Sequence, residues 1–220
     1  MKRTVKSEIL DRLPETHPDA LHSRRDLRLI NAIMGNFRWF TRGLKQLLCQ
    51  QDRILEIGSG DGSMGQCLHR KLSRRNASLT VTGLDLCQQP MYWPACWPWV
   101  QQDWRLFATL EEYGIILGNM ILHHFEDDEL HRLGQRLQHR ARALLFSEPA
   151  RCILHQHQIT WAKLLGINYV TFHDARVSIQ AGFRGQELPR LLGLDPKTWH
   201  WRCTHGFFGQ YRMVAVRHTI

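Results

Sequence analysis

The chain has 220 residues, of which 43% are hydrophobic and 22% charged, and this composition is ordinary for a single globular domain. No apolar run reaches the ~18 residues of a membrane span, and the N-terminus lacks the apolar core of a secretory signal, so we expect a cytoplasmic protein. The net charge of +9 admits a nucleic-acid partner, but the arginines are scattered along the chain, which favours solvated helix faces.

Cysteine usage limits disulfide and metal chemistry. The six cysteines form no C-x-x-C pair, and a chain of this length does not need disulfides, so we expect reduced thiols. No Cys/His group shows the local spacing typical of zinc ligands, so we expect no metal site.

The first fifty residues are predicted to form an arm followed by helices. Residues 1–22 are polar and contain two prolines, which favours a loosely packed arm. Apolar residues at three- and four-residue steps then predict two helices within 23–49, broken near Gly35 or Gly43. We therefore divide the chain into an N-terminal segment, 1–50, and a main domain, 51–220.

Strands and helices alternate in the centre of the chain. Strands are predicted at 53–57, 78–86, 99–101, 113–122 and 143–149, and helices at 64–72 and 126–142. This alternation predicts an α/β fold, a Rossmann-like doubly wound sheet that is mostly parallel. Two extended runs within 199–218 predict a C-terminal antiparallel hairpin, which brings the sheet to seven strands.

Glycines at every second position follow the first predicted strand in "RILEIGSGDGSM" (53–64). Such a turn lets a ligand approach the backbone closely at the start of a helix, where free N–H groups point outwards. The dinucleotide fingerprint G-x-G-x-x-G is not met, because the third glycine comes one residue early, as Gly62, and Ser63 takes its place. Glu56 and Asp61 would repel a pyrophosphate. These acids favour a cationic, phosphate-free ligand such as S-adenosylmethionine.

Four segments in chain order resemble the motifs of class I S-adenosylmethionine-dependent methyltransferases. The segment "LEIGSGDG" (55–62) is similar to the first motif, acid-x-Gly-x-Gly-x-Gly. In "VTGLDL", Asp85 matches the acid that binds the ribose hydroxyls, and in "VQQDW", Asp103 matches an acid near the adenine amino group. In "ILGNMILHHF", Asn119 and Met120 lie where the family holds the sulfonium and its methyl group.

The resemblance implies S-adenosylmethionine as the cofactor and a set of contacts from the glycine loop and the ends of the strands. Simpler alternatives stay open for three residues: Asp85 as a helix cap, Asp103 as a loop residue and Asn119 as a turn former. The implied cofactor-binding residues are Glu56, Gly58, Ser59, Gly60, Asp61, Gly62, Ser63, Asp85, Leu86, Asp103, Trp104, Asn119 and Met120.

Three histidines are candidates for a general base, which transfer to a phenol or an activated carbon requires. His123 and His124 follow the fourth predicted strand, and local packing of one of them is the alternative. His173 lies in the insert of about 150–198, which covers the acceptor in many members of the family. The helices of 1–50 resemble the lid of members that act on small molecules.

The resemblance also bears on the methyl acceptor. The tetrapeptide "GNMI" stands where many amino-methylating members carry a Pro-Pro-aromatic loop. "NMILHHF" instead resembles the branch that methylates small molecules, including those of secondary metabolism. We therefore expect methyl transfer to an oxygen or carbon of a small aromatic, quinone or polyketide-like molecule. An RNA methyltransferase with a basic surface and a non-catalytic binding module are the alternatives.

Overall fold

The structure is a computed structural model that describes residues 1–14, 16–49, 52–74, 79–164 and 166–218. Its centre is a seven-stranded sheet in the order β3-β2-β1-β4-β5-β7-β6. The strands are β1 (Ile54–Ile57), β2 (Val81–Asp85), β3 (Trp99–Gln101), β4 (Ile115–Asn119), β5 (Ala143–Pro149), β6 (Trp199–His205) and β7 (Gln210–Arg217). β1 to β5 run parallel, and β7 pairs antiparallel with both β5 and β6. The predicted sheet and its terminal hairpin are confirmed.

Helices cover the sheet. They are α1 (Pro18–Met34), α2 (Asn36–Leu47), α3 (Ser63–Leu72), α4 (Asp127–Leu137), α5 (Ile153–Leu164), α6 (Tyr169–Ala181) and α7 (Glu187–Leu191). Two buried apolar clusters hold this arrangement together, one centred on Leu55 and Phe146 and the other on Phe40 and Leu145. Leu145 and Phe146 are neighbours in β5, so their side chains point to opposite faces and the clusters lie on the two sides of the sheet. Such double-sided burial explains why the parallel strands read as continuous apolar runs.

The strand order places a crevice between β1 and β4. β2 lies on one side of β1 and β4 on the other, so the chain reverses its direction of winding at this pair. Ligands of doubly wound sheets bind outside the carboxyl ends of the strands at such a switch point. The fold therefore directs attention to the segments that follow Ile57 and Asn119.

Several element boundaries differ from the sequence-based expectations. The break between the N-terminal helices lies at Gly35, whose φ of 66° ends α1 in the left-handed conformation that glycine tolerates. The second strand spans Val81–Asp85, and residue 78 of the expected strand lies outside the described residues. The helix expected over 126–142 ends at Leu137, because the chain must turn before it enters β5.

The N-terminal arm is not loosely packed as expected. The Arg3 guanidinium donates to the carbonyl oxygens of Phe125 (2.6 Å) and Ala181 (2.9 Å). Glu8 is 9% exposed, and the Asp174 carboxylate accepts the backbone N–H groups of the two residues that follow Glu8. The expectation was wrong because these polar arm residues find partners far along the chain, which composition does not reveal.

Membrane insertion by a helix has no support in the part of the chain that the structure describes. No helix there combines the length and apolarity that crossing a bilayer requires.

Candidate functional site

The glycine loop follows β1 and has a backbone that other residues do not readily adopt. Gly58, Gly60 and Gly62 all have positive φ, at 68°, 53° and 74°. A Cβ on Gly58 would also lie 2.5 Å from the Ile121 side chain, so this position excludes larger residues on two grounds. The Gly58 N–H donates to Leu84 in β2 at 2.8 Å. This hydrogen bond anchors the start of the loop to β2 at the switch point, just before α3 begins.

Asp85 at the end of β2 faces this loop. One carboxylate oxygen accepts the Gly60 N–H at 2.8 Å, and the other accepts the Cys87 N–H at 3.0 Å. A carboxylate offers about four lone-pair sites, so each oxygen keeps capacity for one more donor. The two oxygens can therefore accept both hydroxyls of a diol while they keep their backbone contacts.

Glu56 is a buried acid in the middle of β1. Its residue is 2% exposed, and its Oε2 atom has no hydrogen-bond partner among the described residues. Burial raises the pKa of the Glu56 carboxyl well above its usual range, and the negative charges of Asp85 and Asp61 raise it further. A buried carboxyl with one unpartnered oxygen, beside two acids, suits a ligand that carries positive charge and hydrogen-bond donors.

A cavity of about 790 Å³ is lined by Glu56 and the glycine loop. Asp85 lies beside its wall, since it accepts hydrogen bonds from Gly60 and Cys87, which both line the cavity. The cavity brings together eight of the predicted cofactor-binding residues, namely Glu56, Gly58, Ser59, Gly60, Asp61, Ser63, Asn119 and Met120. Its size is that of a small-molecule site. Met120 has a φ of 57°, a conformation that is costly for a residue with a side chain and that is often found in functional sites.

The other predicted cofactor-binding residues lie beside or away from the cavity wall. Gly62 caps α3, and Leu86 is 68% exposed directly after Asp85. Asp103 pairs with Arg105 at 2.8 Å. Trp104 is buried in the core, with its ring centroid 5.3 Å from that of Phe125. The structure thus does not bring Asp103 or Trp104 to the cavity.

Helix α1 forms the opposite wall, over the glycine loop. Arg28 of α1 pairs with Asp61 of the loop at 3.1 Å, and Asn31 of α1 lines the same cavity. The Asp61 carboxylate also accepts the Ser63 N–H at the start of α3. One acid therefore ties the loop to both helices. The sequence motifs give no sign of Arg28 or Asn31, because their partners lie in distant segments.

Three asparagine side chains connect α1 and α2 to the strand ends. The Asn36 amide donates to the side-chain oxygens of Asn31 and Asn119, each at 3.0 Å, and Asn119 donates to Asn31 at 3.0 Å. Ser147 of β5 donates to the Asn36 oxygen at 3.0 Å. Asn36 is fully buried, so this network fixes α2 against β4 and β5 at the cavity.

Replacing Asn36 with alanine should therefore destabilise the protein. Asn31, Asn119 and Ser147 each form a hydrogen bond with the Asn36 side chain, and the change removes all three bonds. We therefore expect the free energy of unfolding to fall by about 3 kcal/mol. Urea denaturation of the variant checks this value. Arg38→Ala, an exposed change in the same helix, should alter stability by no more than about 0.5 kcal/mol. Equal stability of the two variants would contradict a stabilising network.

The predicted histidine pair follows Met120 but does not line the cavity beside the glycine loop. His123 is buried, with Nδ1 2.8 Å from Glu148 and Nε2 3.4 Å from Glu8. The two carboxylates overcome the effect of burial and raise the pKa of His123 to about 9. The pKa of His124 is lowered by burial and by the charge of His123.

His173 lies on α6 beside a second cavity of about 850 Å³. This cavity is lined by residues of the N-terminal arm and α6, with basic side chains from Lys6, Arg12 and Arg176. His173 is half exposed and pairs with Asp174 at 2.9 Å. His123, His124 and His173 therefore lie beside the N-terminal arm and not beside the glycine loop.

The rim of the cavity beside the glycine loop carries apolar side chains that the motifs do not indicate. Met91 is 92% exposed, Tyr92 63% and Leu21 53%, and all three line the cavity. Met91 and Tyr92 follow β2 in a loop, whereas Leu21 belongs to α1. Single exposed apolar side chains are ordinary on a protein surface, but here three lie together at one opening. This grouping indicates that the rim is a contact surface.

Comparison with known proteins finds relatives at the level of structure. No family model and no curated protein matches this sequence. The plantazolicin methyltransferase BpumL, solved with a triazolic desmethylPZN analogue and SAH, superposes with a TM-score of 0.70 at 11% identity, covering 96% of this chain and 93% of that one. The methyltransferase domain of bacterial CtHen1-C gives a TM-score of 0.55 at 13% identity, covering 82% and 96%.

A third solved structure also has a similar fold at low sequence identity. Magnesium protoporphyrin IX methyltransferase from Synechocystis PCC 6803, with SAM bound, gives a TM-score of 0.51 at 14% identity, covering 89% of this chain and 84% of that one. The similarity extends over nearly the whole chain and confirms, at the level of the fold, the resemblance found in the sequence motifs. The chain has the fold of the class I S-adenosylmethionine-dependent methyltransferases.

Proposed function

We propose that this protein is a methyltransferase that binds S-adenosylmethionine in the cavity between the glycine loop and α1. One observation supports this most directly: the buried Glu56 side chain lines the cavity, and its Oε2 atom has no hydrogen-bond partner among the described residues. The acids near it disfavour a phosphate and favour a cation. S-adenosylmethionine carries an ammonium and a sulfonium and has no phosphate, and similar folds have been solved with SAM or SAH bound.

The roles of the chain's residues follow from their positions. Glu56 accepts hydrogen bonds from the ammonium group, directly or through a water. Asp85 accepts the two ribose hydroxyls, since each of its oxygens keeps one free lone-pair site. Asn119 and Met120 hold the sulfonium end at the carboxyl end of β4. Asp103 and Trp104 lie away from the cavity wall, so we do not assign them adenine contacts.

The cofactor supplies an electrophilic methyl group when it is bound. The chain's contribution is then to orient the acceptor in line with the S–CH3 bond and to exclude water, and orientation can account for much of the acceleration. No histidine lines the cofactor cavity in the described part of the chain. We therefore propose that His123 holds the N-terminal arm in place rather than taking a proton from the acceptor.

The acceptor that fits this site is a small molecule with an apolar face. Leu21, Met91 and Tyr92 place exposed apolar surface at the cavity opening, where an aromatic, quinone or polyketide-like acceptor would cover it. We propose transfer to an oxygen or carbon of such a molecule, by an enzyme located in the cytoplasm. The segment 1–50 forms an arm and lid in this proposal, and residues 51–220 form the catalytic domain, with an insert near 150–198.

Two other acceptor classes also have support. BpumL is a plantazolicin methyltransferase, which makes a modified peptide the second candidate, and the net charge of +9 keeps RNA as the third. Methyl-labelled S-adenosylmethionine, incubated with the protein and separate pools of phenols and quinones, azole peptides and total RNA, distinguishes them. We expect label in the organic extract of the first pool. Label in RNA alone, or in none of the pools, would contradict the proposal.

A further inference from the structure

Glu8, His123 and His124 form a cluster of metal-ligand type where the N-terminal arm crosses the turn after β4. The Nε2 atoms of His123 and His124 lie 3.4 and 4.0 Å from Oε1 of Glu8, and the candidate ligand atoms of all three residues lie within 4.8 Å of one another. The side chains are 11%, 3% and 24% exposed in chain order. Atoms at such separations can share a single ion after small side-chain adjustments, because ligands about 2.1 Å from a metal lie roughly 3.4 Å apart.

Carboxylates lie behind both histidines. Nδ1 of His123 is 2.8 Å from Glu148, and Glu148 accepts the backbone N–H groups of residues 121, 122 and 123, which fixes its orientation. Nδ1 of His124 is 3.7 Å from Asp11. Metal-binding histidines usually direct the second ring nitrogen to a carboxylate or carbonyl, which sets the tautomer and leaves the first nitrogen free to coordinate.

The charge around the cluster also favours a cation. Three carboxylates, those of Glu8, Asp11 and Glu148, lie beside the two histidines. The Arg3 guanidinium is directed to Asp127 and to backbone carbonyls, including that of His123. A divalent ion would reduce the excess of negative charge in a buried region, where charge interactions are strong.

We propose that Glu8, His123 and His124 bind a divalent transition-metal ion, with Zn²⁺ as the best fit. Two imidazoles and one carboxylate match zinc sites that keep an open position, whereas Mg²⁺ and Ca²⁺ prefer oxygen ligands. Glu8 also lines the second cavity, so water or an anionic group can complete the coordination from that side. The site is separate from the cofactor cavity and goes beyond the proposed methyl transfer.

The local sequence does not predict this site. Zinc motifs are recognised from ligands at short spacing, and here one ligand lies more than a hundred residues from the other two. The expectation of no metal rested on that spacing alone. The alternative to a metal is an ion pair in which a protonated His123 bridges Glu8 and Glu148.

Metal titration of the full chain, after treatment with a chelator, tests the proposal. Zn²⁺ is added in competition with a chromophoric chelator, and Co²⁺ is added in parallel to record the absorption bands of low-coordinate cobalt. We expect one ion per chain and a change in the cobalt spectrum. His124→Gln and Glu8→Gln should each weaken binding by about 100-fold, because each removes a ligand. His200→Gln, an exposed histidine on β6, should bind as the native chain does.

A second readout follows the arm itself. Bound metal links Glu8 to the turn after β4, so Zn²⁺ should slow tryptic cleavage after Lys6 and Arg12 in the native chain and in His200→Gln. It should not protect His124→Gln, whose circular dichroism spectrum we expect to match that of the native chain. Absent binding, equal affinity in native and His124→Gln, or equal protection in both would overturn the proposal and leave the cluster as an ion pair.

Discussion

Replacing Asp85 with alanine is expected to weaken binding of S-adenosylmethionine by about 100-fold. The native carboxylate has one free lone-pair site on each oxygen, and two charge-assisted hydrogen bonds to a diol contribute about 3 kcal/mol together. The variant also loses the acceptor for the Gly60 N–H, so the glycine loop loses one of its constraints. Isothermal titration of the cofactor into the variant measures the change.

Asp128→Ala is the matched control for this substitution. Asp128 is exposed on α4 and pairs with Arg132, far along the chain from the glycine loop. Its removal should change cofactor affinity by less than twofold, since exposed ion pairs contribute little. Comparable losses in both variants would point to a general effect of negative charge. Unchanged cofactor affinity in Asp85→Ala would contradict a contact between Asp85 and the ribose hydroxyls.

Replacing Glu56 with glutamine should change both the affinity for the cofactor and its dependence on pH. The amide keeps the shape of the side chain but removes its charge, so we expect affinity to fall about 30-fold, equivalent to roughly 2 kcal/mol. In the native protein, a bound cation favours the ionised carboxylate, so binding should release a proton. Native affinity should therefore rise with pH until the raised pKa of free Glu56 is passed. Titrations in two buffers of different ionisation enthalpy measure that proton.

The same substitution should stabilise the protein without its cofactor. The pKa of the Glu56 carboxyl is higher in the folded chain than in the unfolded chain, so its contribution to stability is present below the usual value of 4.5 and is lost as pH rises through the folded value. The glutamine variant has no such loss, and its advantage in free energy of unfolding should grow with pH. A variant that is less stable at every pH, or that binds the cofactor as the native chain does, would contradict this role.

The fold could be predicted largely from the sequence because its signals are local. Apolar runs, β-branched residues and glycines mark the strands and the loop directly, and β3 and β5 span the predicted 99–101 and 143–149. The acid-flanked glycine loop likewise indicated a cationic ligand, and the structure brings Glu56, Asp61 and Asn119 to one cavity. Strands and binding loops that are determined by about a dozen consecutive residues could therefore be predicted from the sequence.

What the sequence did not predict depends on contacts between distant segments. The arm was expected to be loosely packed, yet Glu8 forms an ion pair with His123, which lies more than a hundred residues further along the chain. His123 was a candidate base, but its two carboxylate partners, from the arm and from β5, became visible only in the fold. Pairings of this kind follow from topology rather than from local pattern.

The most direct test of the central claim is a calorimetric titration of the native chain with S-adenosylmethionine and, separately, with NAD. The carboxylates of Asp61 and Asp85 should repel a pyrophosphate, whereas a bound cation favours the ionised form of Glu56, whose pKa is raised in the free protein. The account predicts one molecule of S-adenosylmethionine bound per chain, with an affinity of about micromolar or better, and no measurable binding of NAD. Absent binding of S-adenosylmethionine, or equal binding of the two ligands, would contradict it.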